Sequence, residues 1–465
     1  MSEAEIPIEL DRHGSVSLTA QVAKQVRGAI LSGLLRPEHT LPATRRLAAD
    51  LGISRGVVVR AFEQLSGEGF LESNGSGGTR VAVRPDIQAR PVKDRKPSSS
   101  PAHANVIDLT PGRPTGSPFH DREWRSAWKT SLAEPGPTHL PPALGTLELR
   151  DAIAAHLAVS RGLSVEPEDV IITAGTSDAL QLVVTMLRER REHPRILVED
   201  PGYPTARRVM TAAGAHLMTV PVDENGLKSS QLATLSDIPD AVLVTPSHQY
   251  PLGGRMAVQE RLGLLKWADH HRVLVLEDDY DSEFRHSRMP LPAAASLPTN
   301  AEVVLLGTFS KNLSPWLRCG YLAVRGESGQ RLKATREALD TPVAGLLQSA
   351  LANYIRSGGL SRHITRARRE YSHRRSLVIE RLGSRANLEL AALDGGLHAV
   401  IRFEHPDAVD VAAKALQRGV RVVPLVGYYA DRAPKNGLII GYGAVTDLQL
   451  VEALNVLLEL LESGK

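Results

Sequence analysis

Residues 84–105, RPDIQARPVKDRKPSSSPAHAN, constrain this chain more than any other stretch. Proline, serine and charge dominate, and large apolar side chains are almost absent. Such a segment cannot bury enough surface to offset the entropy lost on ordering it. It reads as a semi-extended linker over 85–105, dividing the 465 residues into a front module at 11–84 and a body at 106–465. A hydrophobic content of 42% supplies apolar material for a real core on each side.

The bulk composition excludes several classes. No run of roughly 18 apolar residues is present, so no membrane-spanning helix is expected. The start, MSEAEIPIELDRHG, lacks a basic segment followed by an apolar one, so no signal peptide is expected and a cytoplasmic location is. The single cysteine, Cys319, excludes an intrachain disulfide framework and reads as a small buried residue. The histidines show no ligand-like spacing, no metal site is expected, and the pair at His270 and His271 reads as a solvated helix end. Net charge is +3, yet residues 11–84 alone carry ten Lys/Arg against six Asp/Glu. The basic excess is therefore concentrated at the front, the footprint of a nucleic-acid partner.

In the front module, Leu18, Val22, Val26, Ala29, Ile30 and Leu34 recur at helical spacing and predict a first helix ended by Gly33 and Pro37. A second is expected from about Pro42 to Leu51, with the proline in its first turn. Ser54 caps a third, which carries Val57, Val58, Ala61, Phe62 and Leu65 inward. FLES-NGSGG-TRVAV then predicts a hairpin around an Asn-Gly turn. Three helices and a glycine-tipped hairpin make a winged helix-turn-helix. Its third helix would enter the major groove, with Ser54 and Arg55 at base edges. Arg45, Arg46 and Arg60 would hold phosphates, and Gly75, Gly77 and Gly78 would let the wing approach the backbone of double-stranded DNA. The segment LPATRRLAADLGISRGVVVRAFEQLSGEGFLESNGSGGTRVA resembles the DNA-binding domain of the GntR family of bacterial regulators.

The body alternates strand-like runs (DVIIT, RILVED, AVLVTP, VLVLEDD, EVVLLGT) with helical patterns such as ALQLVVTMLRER. That alternation predicts a mainly parallel sheet covered by helices, with ligands outside the carboxyl ends of its strands. Polar residues collect at those ends. Gly175, Thr176 and Ser177 open a helix after DVIIT, an anion site in waiting. Tyr203 follows RILVED, placed to lie over a flat ligand. Asp278, Asp279 and Tyr280 follow VLVLE. In GTFSKNLSPWLRCGYLAV, Thr308, Ser310 and Arg318 suit a dianionic phosphate, and a buried Lys311 has a depressed pKa and reacts with aldehydes. Phosphate cup, stacking ring, carboxylate and lysine together describe pyridoxal 5′-phosphate held as a Schiff base.

This body is similar to the fold type I aminotransferases, from LGTLELRDAIAAHLAVSRG through the lysine segment to GGLHAVI. Their large part would cover about 140–325 and a smaller α+β part about 326–465. Joined to a winged helix, and with TPSHQYPLGG and EDDYDSEF, the chain looks like the MocR/GabR (PdxR-like) subfamily of GntR regulators. The resemblance implies Lys311 as the Schiff-base residue (and the catalytic one, should turnover occur) and Asp278 on the pyridine nitrogen, with the adjacent Asp279 leaving that choice open. It further implies Tyr280 on the 3′-oxygen, Tyr203 stacked on the ring, and Thr308, Ser310, Arg318 and Gly175–Ser177 on the phosphate. A homodimer and a small-molecule effector are implied as well.

Three departures stand out. Tyr250 occupies the position of an asparagine that touches the 3′-oxygen, with Gln249 or His248 as substitutes. Leu140, beside His139, replaces a tyrosine that reaches the partner's phosphate. Ile439 replaces the arginine that binds a substrate's α-carboxylate. The last disfavours efficient transamination. The expected function is transcriptional regulation by sensing the cofactor or its adduct, with vitamin B6 synthesis or GABA- or taurine-type metabolism as targets. A working aminotransferase with an appended DNA module is the rival class.

Overall fold

The computed structural model describes residues 8–12, 14–37, 39–74, 78–82, 106–116, 121–133, 136, 138–286, 292–431 and 434–462. The chain forms two compact units divided between residues 102 and 103. The expected linker at 85–105 lies outside the described residues.

The front unit has helices α1 (Leu18–Leu31), α2 (Thr44–Asp50) and α3 (Arg55–Gly67), then an antiparallel pair, β1 (Leu71–Asn74) and β2 (Gly78–Val81). The Ser17 hydroxyl caps α1 by accepting from the Ala20 amide at 3.3 Å. Val22, Val26 and Ile30 of α1 meet Val58, Phe62 and Leu65 of α3 in one apolar core. Of the expected inner face of α3 only Val57 is half-buried instead of buried.

Two expectations are corrected. Leu34 is not on the helical face: α1 stops at Leu31, Gly33 turns the chain at φ +80°, and the Leu35 amide donates back to Ala29 O at 3.0 Å. That reversal puts Leu35 in the core at 1% exposure and Leu34 outside at 57%. Pro42 likewise precedes α2, whose N-cap is Ala43. The Leu41 amide donates to Thr79 O at 2.8 Å, tying this stretch to the hairpin in extended form, so the helix starts two residues later than expected.

The body begins with β3 (Ile107–Asp108), α4 (Arg122–Ala133) and α5 (Leu147–Arg161). It continues with β4 (Val170–Thr173), α6 (Thr176–Arg188), β5 (Arg195–Asp200), α7 (Pro204–Ala212), β6 (His216–Pro221) and α8 (Ser229–Leu232). Then come β7 (Ala241–Val244), α9 (Val258–His271), β8 (Leu274–Asp279), β9 (Val303–Thr308), α10 (Phe309–Asn312) and β10 (Gly320–Val324). Strands β4 to β10 build one seven-stranded sheet in the order β4-β10-β9-β8-β7-β5-β6. Only β10 runs against its neighbours; the other pairings are parallel. Strands β4, β7 and β10 are buried along their length because helices pack on both sheet faces. The carboxyl ends of β4, β5, β7, β8 and β9 share one edge.

The remainder comprises α11 (Gly326–Leu339), α12 (Gly345–Arg356), α13 (Gly359–Leu382), β11 (Glu389–Ala391), β12 (His398–Arg402) and α14 (Ala408–Gln417). It closes with β13 (Val420–Arg421), β14 (Val423–Pro424), β15 (Gly437–Gly441) and α15 (Asp447–Glu462). Its antiparallel sheet has the order β11-β12-β15-β14, while β13 pairs in parallel with β3. The first strand of the body is thus tied to the C-terminal part, and the chain leaving it, Thr110 to Gly112, is delivered to the strand-end edge of the large sheet. His270 and His271 are exposed at the end of α9. Cys319 is buried, and burial pushes its thiol pKa up to about 12.

Candidate functional site

The turn after β9 carries the lysine. The Thr308 hydroxyl accepts from the Ser310 amide at 3.1 Å, starting the short α10 and aiming Lys311 into a cleft of about 490 Å³. Lys311 Nζ donates to Gly112 O at 2.7 Å. Burial pulls its pKa down, against the opposing pull of Asp281 and Asp278. Asp278, Tyr280, Tyr203, Thr308, Ser310, Arg318, Thr176 and Ser177 line the same cleft. Gly175 adjoins it as the N-cap of α6 at φ +90°, a conformation that favours glycine, with Arg318 Nη1 3.7 Å from where a Cβ would stand. The free amides at the start of α6 and the Arg318 guanidinium therefore sit together, a cup for an anion. The structure brings all ten predicted cleft residues into one place.

The strand separates the two aspartates. Consecutive residues of β8 point to opposite faces, and only Asp278 reaches the cleft. Asp279 Oδ2 pairs with Arg161 Nε at 2.8 Å, both side chains buried. Asp278 Oδ1 has no hydrogen-bond partner although it is out of contact with solvent. Burial, reinforced by the neighbouring Asp279, pushes its pKa up to about 7.

Aromatic rings form the rest of the wall. Tyr203 meets Tyr250 edge-on, with centroids 5.7 Å apart, and Tyr250 Oη lies 3.3 Å from Tyr428 Oη. The Tyr280 hydroxyl is 3.0 Å from His248 Nδ1. Of the two substitutes for the missing asparagine, Gln249 is closed off: Nε2 donates to Pro201 O at 2.8 Å and Oε1 accepts from the Leu252 amide at 3.0 Å. His248 stands behind Tyr280. Leu140 is 70% exposed. Ile439 is buried against Leu252, Val400, Leu425 and Tyr428, one layer behind the cleft wall.

Sequence reasoning missed several lining groups: Thr110 to Gly112, Arg208, Asp281, His398 and Tyr428. Arg208 could have been found, since it lies five residues after Tyr203 on α7 and its Nη2 donates to Thr205 Oγ1 at 3.0 Å. The expectation that no histidines gather at ligand-like spacing is corrected in space: His248, Asp281 and His398 bring their polar atoms within 4.8 Å of one another. They come from three separate segments, which no linear spacing records. Hydrogen bonds occupy them, His248 with Asp281 and His398 Nε2 with Pro251 O at 3.0 Å.

On the front unit, Arg45, Arg46, Ser54, Arg55 and Arg60 are all exposed. Ser54 is the N-cap of α3 without using its hydroxyl for the cap. Arg55 Nε approaches Thr44 Oγ1 at 3.4 Å, bridging the starts of α2 and α3. Gly75 and Gly77 lie outside the described residues.

Comparison with known proteins agrees with both halves. Residues 18–81 match the family model for bacterial regulatory proteins of the gntR family, and residues 104–457 that for aminotransferase class I and II. The HTH-type pyridoxine biosynthesis transcriptional regulator PdxR of Corynebacterium glutamicum is 41% identical over 443 residues, covering 95% of each chain. The probable rhizopine catabolism regulatory protein MocR of Rhizobium meliloti is 32% identical, covering 96% of this chain and 94% of its own. Among solved structures, the α-aminoadipate aminotransferase LysN of Thermus thermophilus, complexed with N-(5′-phosphopyridoxyl)-L-leucine, superimposes with a TM-score of 0.70 at 25% identity. That match covers 77% of this chain and 92% of the other. This chain belongs to the GntR-family transcriptional regulators of the MocR/PdxR type, with a fold type I aminotransferase body.

Proposed function

We propose that the body holds pyridoxal 5′-phosphate and that the regulator reads its occupancy to control vitamin B6 synthesis. The observation that carries this reading is Asp278, whose Oδ1 is buried at the cleft without a partner and whose carboxyl titrates near pH 7. A protonated ring nitrogen is the partner such a group lacks. When bound, the cofactor supplies an aldehyde and an electron-withdrawing ring. Lys311 would join the aldehyde through a nitrogen that burial disposes to be neutral. Asp278 would hold the ring nitrogen, Tyr280 the 3′-oxygen, and Tyr203 one ring face. Thr308, Ser310, Arg318 and the amides of Gly175, Thr176 and Ser177 would hold the phosphate.

On the front unit, Ser54 and Arg55 would read base edges, while Arg45, Arg46, Arg60 and Gly77 would meet the phosphate backbone of an operator. We assign the DNA-binding module to 11–84, the linker to 85–105 and the sensing body to 106–465. A homodimer working in the cytoplasm completes the proposal; no helix among the described residues is long and apolar enough to cross a membrane. The relative in Corynebacterium glutamicum supports the vitamin B6 reading through its printed name. Ile439 supports sensing over turnover, leaving at most a half-reaction to the body.

A second reading, a GABA- or taurine-type effector, is favoured by Arg208, the one cleft-lining arginine besides Arg318 among the described residues. The deciding experiment is an absorption spectrum with and without pyridoxal 5′-phosphate, alongside binding to the DNA upstream of the chain's own gene. A Schiff-base band together with a cofactor-dependent change in DNA affinity is expected. A band without that change redirects the search to amino compounds, and absence of the band removes Lys311 from its role.

A further inference from the structure

We infer that His248 and Asp281 are a positioning pair that fixes the Tyr280 hydroxyl so that its hydrogen is offered to the cleft. The identity of the acceptor, a phenolic oxygen on the cofactor ring, rests on the reading above; the orientation rests on the protein alone.

A carboxylate only accepts hydrogen bonds. His248 Nδ1 lies 2.9 Å and 3.1 Å from the two oxygens of Asp281, whose side chain is almost wholly buried. Nδ1 therefore carries a hydrogen whether the ring is neutral or charged. The Tyr280 oxygen, 3.0 Å from the same Nδ1, can then only accept from it. Its own hydrogen has to go elsewhere, and the described residues provide no second protein partner for that hydroxyl. Tyr280 lines the cleft, so the hydrogen is available there. With the opposite tautomer Nδ1 would be a bare acceptor and would draw that hydrogen away from the cleft.

The surroundings preserve the pair. Gly396, at φ +72°, comes so close that a Cβ there would stand 2.3 Å from Asp281 Oδ2 and 2.9 Å from His248 Cε1. The His248 ring lies nearly parallel to that of Tyr280, 26° apart at 6.0 Å, which limits its rotation. Asp278 and Glu199 from strand ends, Lys311 from α10, His398 from β12, Tyr250, His286 and Tyr442 are titratable groups facing this cluster, and Arg255, Arg285 and Asp394 line a small pocket with His248 and Asp281. The pair thereby restores what the asparagine-to-Tyr250 departure removes: a hydrogen-bond donor of fixed direction, supplied through a tyrosine.

The test is a pH titration of the visible Schiff-base band of the full chain loaded with pyridoxal 5′-phosphate. A donor on the phenolic oxygen weakens that oxygen's hold on the imine proton, so losing it raises the titration midpoint. Tyr280→Phe should raise the midpoint by about one pH unit, and His248→Phe, which frees the hydroxyl to turn away from the cleft, by a smaller amount of the same sign. Asp281→Asn no longer selects the tautomer but also removes a charge that favours a protonated nitrogen at Lys311, so its effect is read as the difference between its shifts with and without Tyr280→Phe, and it serves where His248→Phe fails to fold. In the Tyr280→Phe background, His248→Phe should add nothing. An unmoved midpoint in the single variants, or an equal shift in the Tyr280→Phe background, overturns the inference while leaving the cofactor reading intact. A wild-type chain without any band overturns both.

Discussion

The two units of this regulator keep their functional groups in opposite environments. On the front unit the arginines stand in water around a small apolar core. In the body Lys311, Asp278 and Tyr280 are enclosed, and each has a pKa displaced by burial. Exposed cations meet a polyanion with little penalty to folding, and salt screens them. Enclosed groups strain the folded state until something answers them. The first arrangement suits a partner found by charge along its whole length; the second suits a ligand recognised atom by atom.

The sharpest way to break this contrast is Lys311→Ala. The Schiff-base band should vanish while the far-ultraviolet circular dichroism spectrum stays unchanged, because among the described residues Nζ bonds only the Gly112 carbonyl. Asp278→Asn comes next, with two effects of opposite sign. Cofactor affinity should fall by about 2–5 kcal/mol, measured by titration, because a buried charge pair loses one member. Without cofactor, the variant should melt at a higher temperature than the wild type at pH 8 and at a similar temperature at pH 4. The folded carboxyl holds its proton up to about pH 7, well above the unfolded value. Stability therefore declines as pH climbs from about 4 to about 7 and stays low above it. Glu199, also raised to about 7, feels the Asp278 charge, so the difference between the two proteins reads the loss of that charge and its effect on Glu199 together.

Leu35→Ala should cost the front unit about 2–5 kcal/mol in denaturant unfolding, as a buried leucine does. Arg55→Ala should weaken operator binding by about 1–3 kcal/mol and relax sequence preference. Raising salt should loosen DNA far more than it loosens the cofactor, and equal sensitivity would erase the contrast drawn here. The smallest effect belongs to Leu34→Ala, within about 0.5 kcal/mol.

Local pattern carried much of this architecture into the sequence. The three front helices, the hairpin and the strand-helix alternation were legible because each repeats its period within a dozen residues. The ends were less so: Leu34 fits the helical period but falls past a glycine-led reversal, and Pro42 is held off its helix by a bond to the hairpin. The cleft was legible wherever a residue stands at or just past the carboxyl end of a strand, as Asp278, Tyr203 and Lys311 do. Groups brought in from far along the chain left no local mark. Arg161, which separates the roles of Asp278 and Asp279, lies more than a hundred residues before them. His248 and Asp281 meet only because β7 and β8 are adjacent in the sheet. Tyr428 and His398 arrive from the other sheet.

If the body senses its ligand as proposed, Ile439 would give the regulator a property that a working transaminase does not have. An enzyme's occupancy reflects flux, since every turnover changes the form of the bound species. On the proposed reading, a cleft that retains the cup, the lysine and the aspartate but buries an isoleucine where the carboxylate anchor would stand would convert little of what it binds. Its occupancy would then follow the free concentration of ligand by mass action, and the protein would measure a supply without drawing it down.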